Sequence, residues 1–162
     1  MKLGILSDSH GQVTPIRQAL HVLERAGAEA IVHCGDVGGL EVLEELAGWR
    51  AWFVWGNTDE PRPPWRAQVQ TLGLPWPEGP LELSLDGKRV GVFHGHERGF
   101  HQAIREARYD YLLHGHTHQH DDYYEGRMRV INPGALHRAS VRTVALLDLQ
   151  TDELRFLELD KS

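Results

Sequence analysis

A single cysteine stands in 162 residues, so no internal disulfide can form and no thiolate cluster is available for structural zinc. That residue, Cys34, fits a reducing compartment, and its place between His33 and Gly35 predicts burial at a strand end. Long hydrophobic runs are also missing: no stretch approaches the roughly 20 apolar residues needed to cross a bilayer. The opening Met1-Lys2-Leu3-Gly4-Ile5-Leu6 is too short a run for a signal peptide. A soluble, cytoplasmic protein with no membrane partner is expected. There is no basic excess, since 17 Lys and Arg face 23 Asp and Glu for a net charge of -6. That argues against a dedicated nucleic-acid surface, and no aromatic platform interleaved with basic residues is evident. Length and a 41% hydrophobic content suit one substantial core, predicting a single domain over residues 1–162.

What the chain does hold is a series of short polar motifs, each following an apolar run: Asp8-Ser9-His10, Gly35-Asp36, Gly56-Asn57, His94-Gly95-His96 and Gly115-His116-Thr117-His118. If the strand Lys2 to Leu6 stays extended past Ser7, Asp8 and His10 leave the same face and can grip one ion; His116 and His118 repeat the spacing. A mixed set of carboxylate, amide oxygen and imidazole suits Mn, Fe, Ni, Co or Zn and leaves the metal's identity open. Two such ions roughly 3.5 to 4 Å apart can bridge a water, lower its pKa to about 7 and stabilise both oxygens of an in-line displacement. A dinuclear hydrolytic centre is the leading expectation.

Secondary structure follows from periodicity. Residues 2 to 6, 30 to 33 and 51 to 55 read as strands, separated by an amphipathic helix over Val13 to Arg25 and a short helix over Leu40 to Leu46. This βαβαβ order implies parallel strands with ligands at their carboxyl ends. Downstream, Leu81 to Leu85 and Arg89 to Phe93 form a hairpin through Asp86-Gly87, Phe100 to Arg108 a helix, Tyr111 to His114 a strand and Tyr123 to Ile131 a second hairpin. Val141 to Leu149 and Glu153 to Leu159 close the sheet. Two sheets packed face to face, with helices outside, account for the order. Between Asp59 and Gly79 five prolines, with Trp65 and Trp76, predict a semi-rigid loop that either overhangs the site or covers the core edge.

Taken in order, Asp8-x-His10, Gly35-Asp36, Gly56-Asn57-x-Asp59, His94-Gly95-His96, Gly115-His116-x-His118 and Asn132-Pro133-Gly134 resemble the signature blocks of calcineurin-like metallophosphoesterases, specifically their small prokaryotic phosphodiesterase branch. The resemblance implies an α/β fold, a four-layer α-β-β-α sandwich of two mixed β-sheets flanked by helices. It implies that Asp8, His10, Asp36 and His118 hold one divalent metal, while Asp36, Asn57, His94 and His116 hold a second. Asp36 would be the bridge, a role open to a carboxylate with its two oxygens and closed to an imidazole nitrogen. The expected reaction is hydrolysis of a small phosphodiester by attack of a metal-bridging hydroxide. A phosphomonoesterase or nuclease using the same centre is the alternative, and a catalytically silent scaffold, as in the cargo-sorting subunit of retromer, is a third.

Two departures bear on the mechanism. The larger phosphatases of the superfamily protonate the leaving oxygen with a His directly after the motif Asn, paired with an Asp; here those positions are Thr58 and Gly39. A Thr hydroxyl is a poor proton donor near neutral pH. His96, two residues past His94, is the substitute on offer, and Asn57 is placed near the substrate oxygen as well as at a metal. Diesters are favoured, since they carry less charge into the cleft. The remaining histidines take plainer roles: His33 and His114 in the core or at strand ends, His21 and His101 in solvent, His120 and His137 at the cleft border. Arg62, Arg98 and Arg138 are candidate phosphate clamps. A homo-oligomer is compatible with the sequence.

Overall fold

The computed structural model describes residues 1–159; the last three positions of the expected 1–162 domain lie outside the described residues. The first strand, β1 (Lys2–Leu6), shows how the layers arise. Alternation sends Leu3 and Ile5 to one face and Gly4 and Leu6 to the other, and both faces are buried. On the outer side, helix α1 (Val13–Arg25) lays Ile16, Ala19, Leu20 and Leu23 against the sheet. Gly4 lets them pack closely, because a Cβ there would stand 2.8 Å from the Ile31 Cδ1 methyl and force that side chain to shift.

β2 (Ala30–His33) and β3 (Ala51–Phe53) pair in parallel beside β1, connected through α1 and α2 (Leu40–Glu45). A third helix, α3 (Trp65–Thr71), interrupts the proline-rich stretch, which sequence reading treats as loop throughout. Pro63 and Pro64 precede its first turn, where a missing N–H costs no hydrogen bond, so the prolines set the helix start without breaking it.

The second sheet begins with the antiparallel hairpin β4 (Leu81–Leu85) and β5 (Lys88–Val92), turned at Asp86-Gly87. After α4 (Phe100–Glu106), β6 (Tyr111–Leu113) joins β5 in parallel. The hairpin β7 (Asp121–Glu125) and β8 (Met128–Asn132) adds β8 beside β6. The chain then returns to the first sheet as β9 (Thr143–Asp148) and β10 (Leu154–Glu158), both antiparallel. The orders are β10-β9-β1-β2-β3 and β4-β5-β6-β8-β7. Both sheets are mixed: β1, β2 and β3 run parallel along one side of the first, and β5, β6 and β8 run parallel in the middle of the second.

Three apolar clusters define the layers. Leu3, Ile5, Val32, Ala145 and Leu147 of one sheet meet Val90, Val92, Tyr111, Leu113 and Ile131 of the other. The first sheet's outer face packs on α1, α2 and α3 through Ile31, Phe53, Val42, Leu43 and Val69. The second sheet's outer face packs Leu112, Met128 and Val130 against Phe100 of α4. This is the α-β-β-α sandwich. The carboxyl ends of β1, β2, β3, β5 and β6 therefore open on one edge of the sandwich. Among the described residues no helix is long and apolar enough to cross a membrane.

Candidate metal centre

All seven candidate ligands lie just past those strand ends: Asp8 and His10 after β1, Asp36 after β2, Asn57 after β3, His94 after β5, His116 and His118 after β6. Once strand pairing stops, the backbone is held loop to loop. Asp8 N–H donates to Gly35 O at 3.0 Å, His10 N–H to Asp36 O at 2.9 Å and Gly115 N–H to His94 O at 2.9 Å.

The strands do not stay extended, contrary to the geometry inferred from the Asp-x-His and His-x-His spacing. Asp8 (φ 58°), His10 (φ 45°), Asp36 (φ 52°), His116 (φ 77°) and His118 (φ 64°) all adopt left-handed backbone. Each such non-glycine residue costs about 1 to 3 kcal/mol. The turns between them send Ser9 inward, where its Oγ meets His33 Nε2 at 2.9 Å and donates to Val37 O at 2.9 Å. Asp8 and His10 still converge, by curling around one point rather than by sharing a strand face.

Asp8 Oδ2 is consumed structurally, accepting from Ser7 Oγ at 2.7 Å and from His116 N–H at 3.1 Å. Its other oxygen, Oδ1, is buried, accepts no hydrogen bond, and lies 3.4 Å from His118 Nε2 and 3.8 Å from His10 Nε2. His10 Nε2 is likewise buried without a hydrogen bond, 3.5 Å from Asp36 Oδ2. Ligand atoms of Asp8, His10, Asp36 and His118 all fall within 4.8 Å of one another. Leaving an ionised carboxylate buried with an unsatisfied oxygen is costly, and a divalent cation relieves that cost. The residues present fit one.

The remaining candidates gather on the other side of Asp36. His94 Nδ1 donates to Cys34 O at 2.8 Å, which leaves the Nε2 lone pair facing Asn57 Oδ1 at 3.0 Å and Asp36 Oδ2 at 3.2 Å. Three acceptors turned toward one point need a cation between them. Burial opposes a charge on the His94 ring, yet hydrogen bonds to Asp36 and the Cys34 carbonyl raise its pKa above the ordinary value. Burial likewise opposes ionisation of Asp36, yet hydrogen bonds from His94 and Thr58 hold its carboxyl well below the usual carboxylate range. The His116 ring stands edge-on to His94, 5.0 Å between centroids. Asp36 faces both groups with the single atom Oδ2, since Oδ1 accepts the Thr58 N–H at 3.0 Å.

Two carboxylates that sequence reading left without a role staple these loops. Asp59 accepts the backbone N–H of Val37 at 3.1 Å, Gly38 at 2.9 Å and Gly56 at 2.8 Å, joining the Asp36 loop to the Asn57 loop. Glu97 accepts from His94 N–H and Gly95 N–H, each at 2.7 Å. Their signal was an acid two or three residues beyond a ligand. Asn132 Nδ2 donates to Gly115 O at 3.1 Å and Thr117 Oγ1 at 3.0 Å, bracing the loop of His116 and His118. Gly56 allows this closeness: a Cβ there would stand 2.1 Å from Asp36 Oδ1.

Gly95 (φ 121°) turns the chain between His94 and His96, so an extended run does not place His96. Its ring nevertheless lies 5.3 Å from that of His94 and 6.4 Å from that of His116, at the edge of the centre. His33 is buried and neutral, its pKa lowered to about 3 chiefly by burial. Burial also pushes the Cys34 thiol up, which disfavours a nucleophilic thiolate. His114 is buried, His21, His101 and His120 are exposed, and the half-buried His137 ring stands 5.5 Å from that of His10. Arg62, Arg98 and Arg138 are exposed, and Arg62 lines a shallow hollow with Thr58 and Asp59.

An α-β-β-α sandwich with carboxylate and imidazole ligands gathered at its parallel strand ends defines a class of metal-dependent hydrolytic folds. Residues 1–152 match the calcineurin-like phosphoesterase superfamily domain, and the chain belongs to that family. It is 28% identical to phosphodiesterase MJ0936 of Methanocaldococcus jannaschii, over 99% of this chain and 100% of that protein. It is 26% identical to phosphodiesterase YfcE of Escherichia coli, over 84% of this chain and 79% of the relative. A solved structure described as a novel archaeal phosphodiesterase superposes with a TM-score of 0.87 at 26% identity, covering 98% of this chain and 100% of its own.

Proposed function

We propose that this protein is a phosphodiesterase working with two divalent cations, manganese first among them, held by Asp8, His10, Asp36 and His118 on one side and Asp36, Asn57, His94 and His116 on the other. The observation that carries the proposal is the convergence on Asp36 Oδ2 of His10 Nε2 at 3.5 Å and His94 Nε2 at 3.2 Å, beside the unsatisfied buried oxygen of Asp8. When bound, such a pair of cations acidifies water and polarises a phosphoryl oxygen.

The chain's own groups do the rest. The Cys34 carbonyl fixes the His94 tautomer, so that Nε2 remains a ligand. Thr58 N–H and the stapled loops hold Asp36 in one rotamer, which limits reorganisation when the phosphoryl charge shifts. Asn57, exposed at the mouth, has its amide nitrogen to offer a phosphoryl oxygen while Oδ1 faces the centre. Thr58 and Gly39 stand where a proton-donating pair would be, which favours diesters with acidic leaving groups. His96 is the candidate donor for poorer ones. The fold alone would not separate an enzyme from a scaffold; the full set of chemically competent ligands favours the enzyme.

The test is a panel of phosphodiesters and phosphomonoesters assayed with manganese, nickel, cobalt and zinc, together with elemental analysis. The proposal expects metal-dependent turnover highest on aryl or cyclic diesters, abolished by chelator and by Asp36→Ala. It also expects His96→Gln to slow poor leaving groups more than good ones. Turnover that survives chelation, or an Asp36→Ala variant with full activity, overturns it.

A further inference from the structure

Beside the metal centre lies a cleft of about 330 Å³ whose apolar walls are Trp55, Trp76, Pro61 and Pro77. A volume of that order holds a small ligand's ring system. Two of its lining residues belong to the ligand loops themselves. Gly56 sits against Asp36 and directly precedes Asn57, while the His96 ring lies 5.3 Å from that of His94. The cleft therefore opens beside Asp36 and His94, within reach of one arm of an ester bound there.

The aromatic wall is braced. Trp76 stands edge-on to Trp55 with centroids 5.3 Å apart, and Trp55 is backed by Phe53 at 4.9 Å. On another side the Arg66 guanidinium lies 5.7 Å from the Trp76 ring and is paired with Glu78 at 2.8 Å. Rings fixed before binding lose little entropy when a flat group stacks on them. The indole Nε1–H of Trp55 is buried and makes no hydrogen bond. The lining contains neither Lys nor Arg, and of its two carboxylates Glu78 is paired with Arg66 while Glu97 is held by the backbone N–H groups of His94 and Gly95. Such a lining offers no cation to a second phosphate or a carboxylated arm and accepts a neutral one.

Resting on the phosphoesterase assignment above, we infer that this cleft binds a planar, uncharged aromatic arm of the substrate, a nucleobase or another aryl group, and that Trp55 and Trp76 set this specificity. Calorimetric titration of the manganese-loaded protein with methyl phosphate, phenyl phosphate and thymidine 5′-monophosphate tests it without relying on turnover. The aromatic monoesters should bind about tenfold more tightly than methyl phosphate, the scale of one stacking contact. In Trp76→Leu that ratio should fall to within about twofold. A gain for thymidine alone identifies a base-reading cleft, whereas a gain for both identifies a general aryl cleft; either supports the inference. Equal affinities for all three in the wild-type protein, or an undiminished ratio in the variant, overturn it. Should Trp76→Leu fail to fold, the wild-type ratio decides alone. Diester turnover without arm selectivity sinks the cleft and leaves the hydrolase standing, while arm selectivity without turnover does the reverse.

Discussion

Replacing Asp59 with Ala removes the acceptor for three backbone N–H groups: those of the buried residues Val37 and Gly56, and that of Gly38 at the surface. Hydrogen bonds to a charged group contribute about 1.5 to 3 kcal/mol each, and an unsatisfied donor costs a similar amount. Water can replace the bond at Gly38, so two bonds matter, with partial recovery through the space the side chain vacates. The net loss is roughly 3 kcal/mol. For a domain of this length 1 kcal/mol moves Tm by about 2 to 4 °C, so the variant should melt roughly 6 to 12 °C lower. Val37 follows Asp36 and Gly56 precedes Asn57, so losing the staple also frees two ligand loops from each other. Removing groups that orient ligands typically weakens metal binding by about 10- to 100-fold. Asp59→Asn keeps one carbonyl acceptor and should fall between the two. Calorimetric melting in chelator gives the first quantity and manganese titration the second. An Ala variant that melts within about 2 °C of the wild type and binds manganese equally well would refute the reasoning, since the energies above allow neither.

Two further outcomes follow from backbone strain and from burial. His116 is exposed and held at φ 77°, so His116→Gly should relieve about 1 kcal/mol and raise the melting temperature of chelated protein by about 2 to 4 °C. The same change removes a ligand, so manganese should stabilise this variant less than the wild type; a lower melting temperature in chelator would show that no strain is stored there. The second outcome concerns His33, whose folded pKa near 3 lies below the ordinary value of 6.5. The unfolded chain therefore binds the extra proton between those values, so this contribution is fully present above pH 6.5 and is lost as pH falls toward 3. Between pH 6.5 and 4.5 the loss is roughly 2 kcal/mol, and His33→Gln should flatten the fall in denaturant midpoint over that window. A slope unchanged by the substitution would assign the acid sensitivity elsewhere.

Much of the architecture was legible from local periodicity. β1, α1, β2 and the hairpin at Asp86-Gly87 fall where alternation, helical spacing and turn chemistry put them, because each is decided within a dozen neighbouring residues. The order of motifs was equally readable, as was their position after apolar runs, since a ligand loop past a parallel strand leaves that trace in one dimension. Helix α3 was hidden because proline content masked its start. Composition and motif order determined the family, the layer count and the ligand candidates.

Tertiary structure decided how those candidates meet. Asp8 Oδ2 accepts from the N–H of His116, 108 residues away, and only the face-to-face packing of the two sheets makes that pair neighbours. Five candidate ligand residues take left-handed backbone because loop-to-loop hydrogen bonds overrule local preference; spacing alone suggested extended chain instead. The staples at Asp59 and Glu97, the sharing of one Asp36 oxygen and the tryptophan-lined cleft arise the same way. Each joins segments whose distance apart is set by strand order and register, quantities that no local pattern along the chain contains.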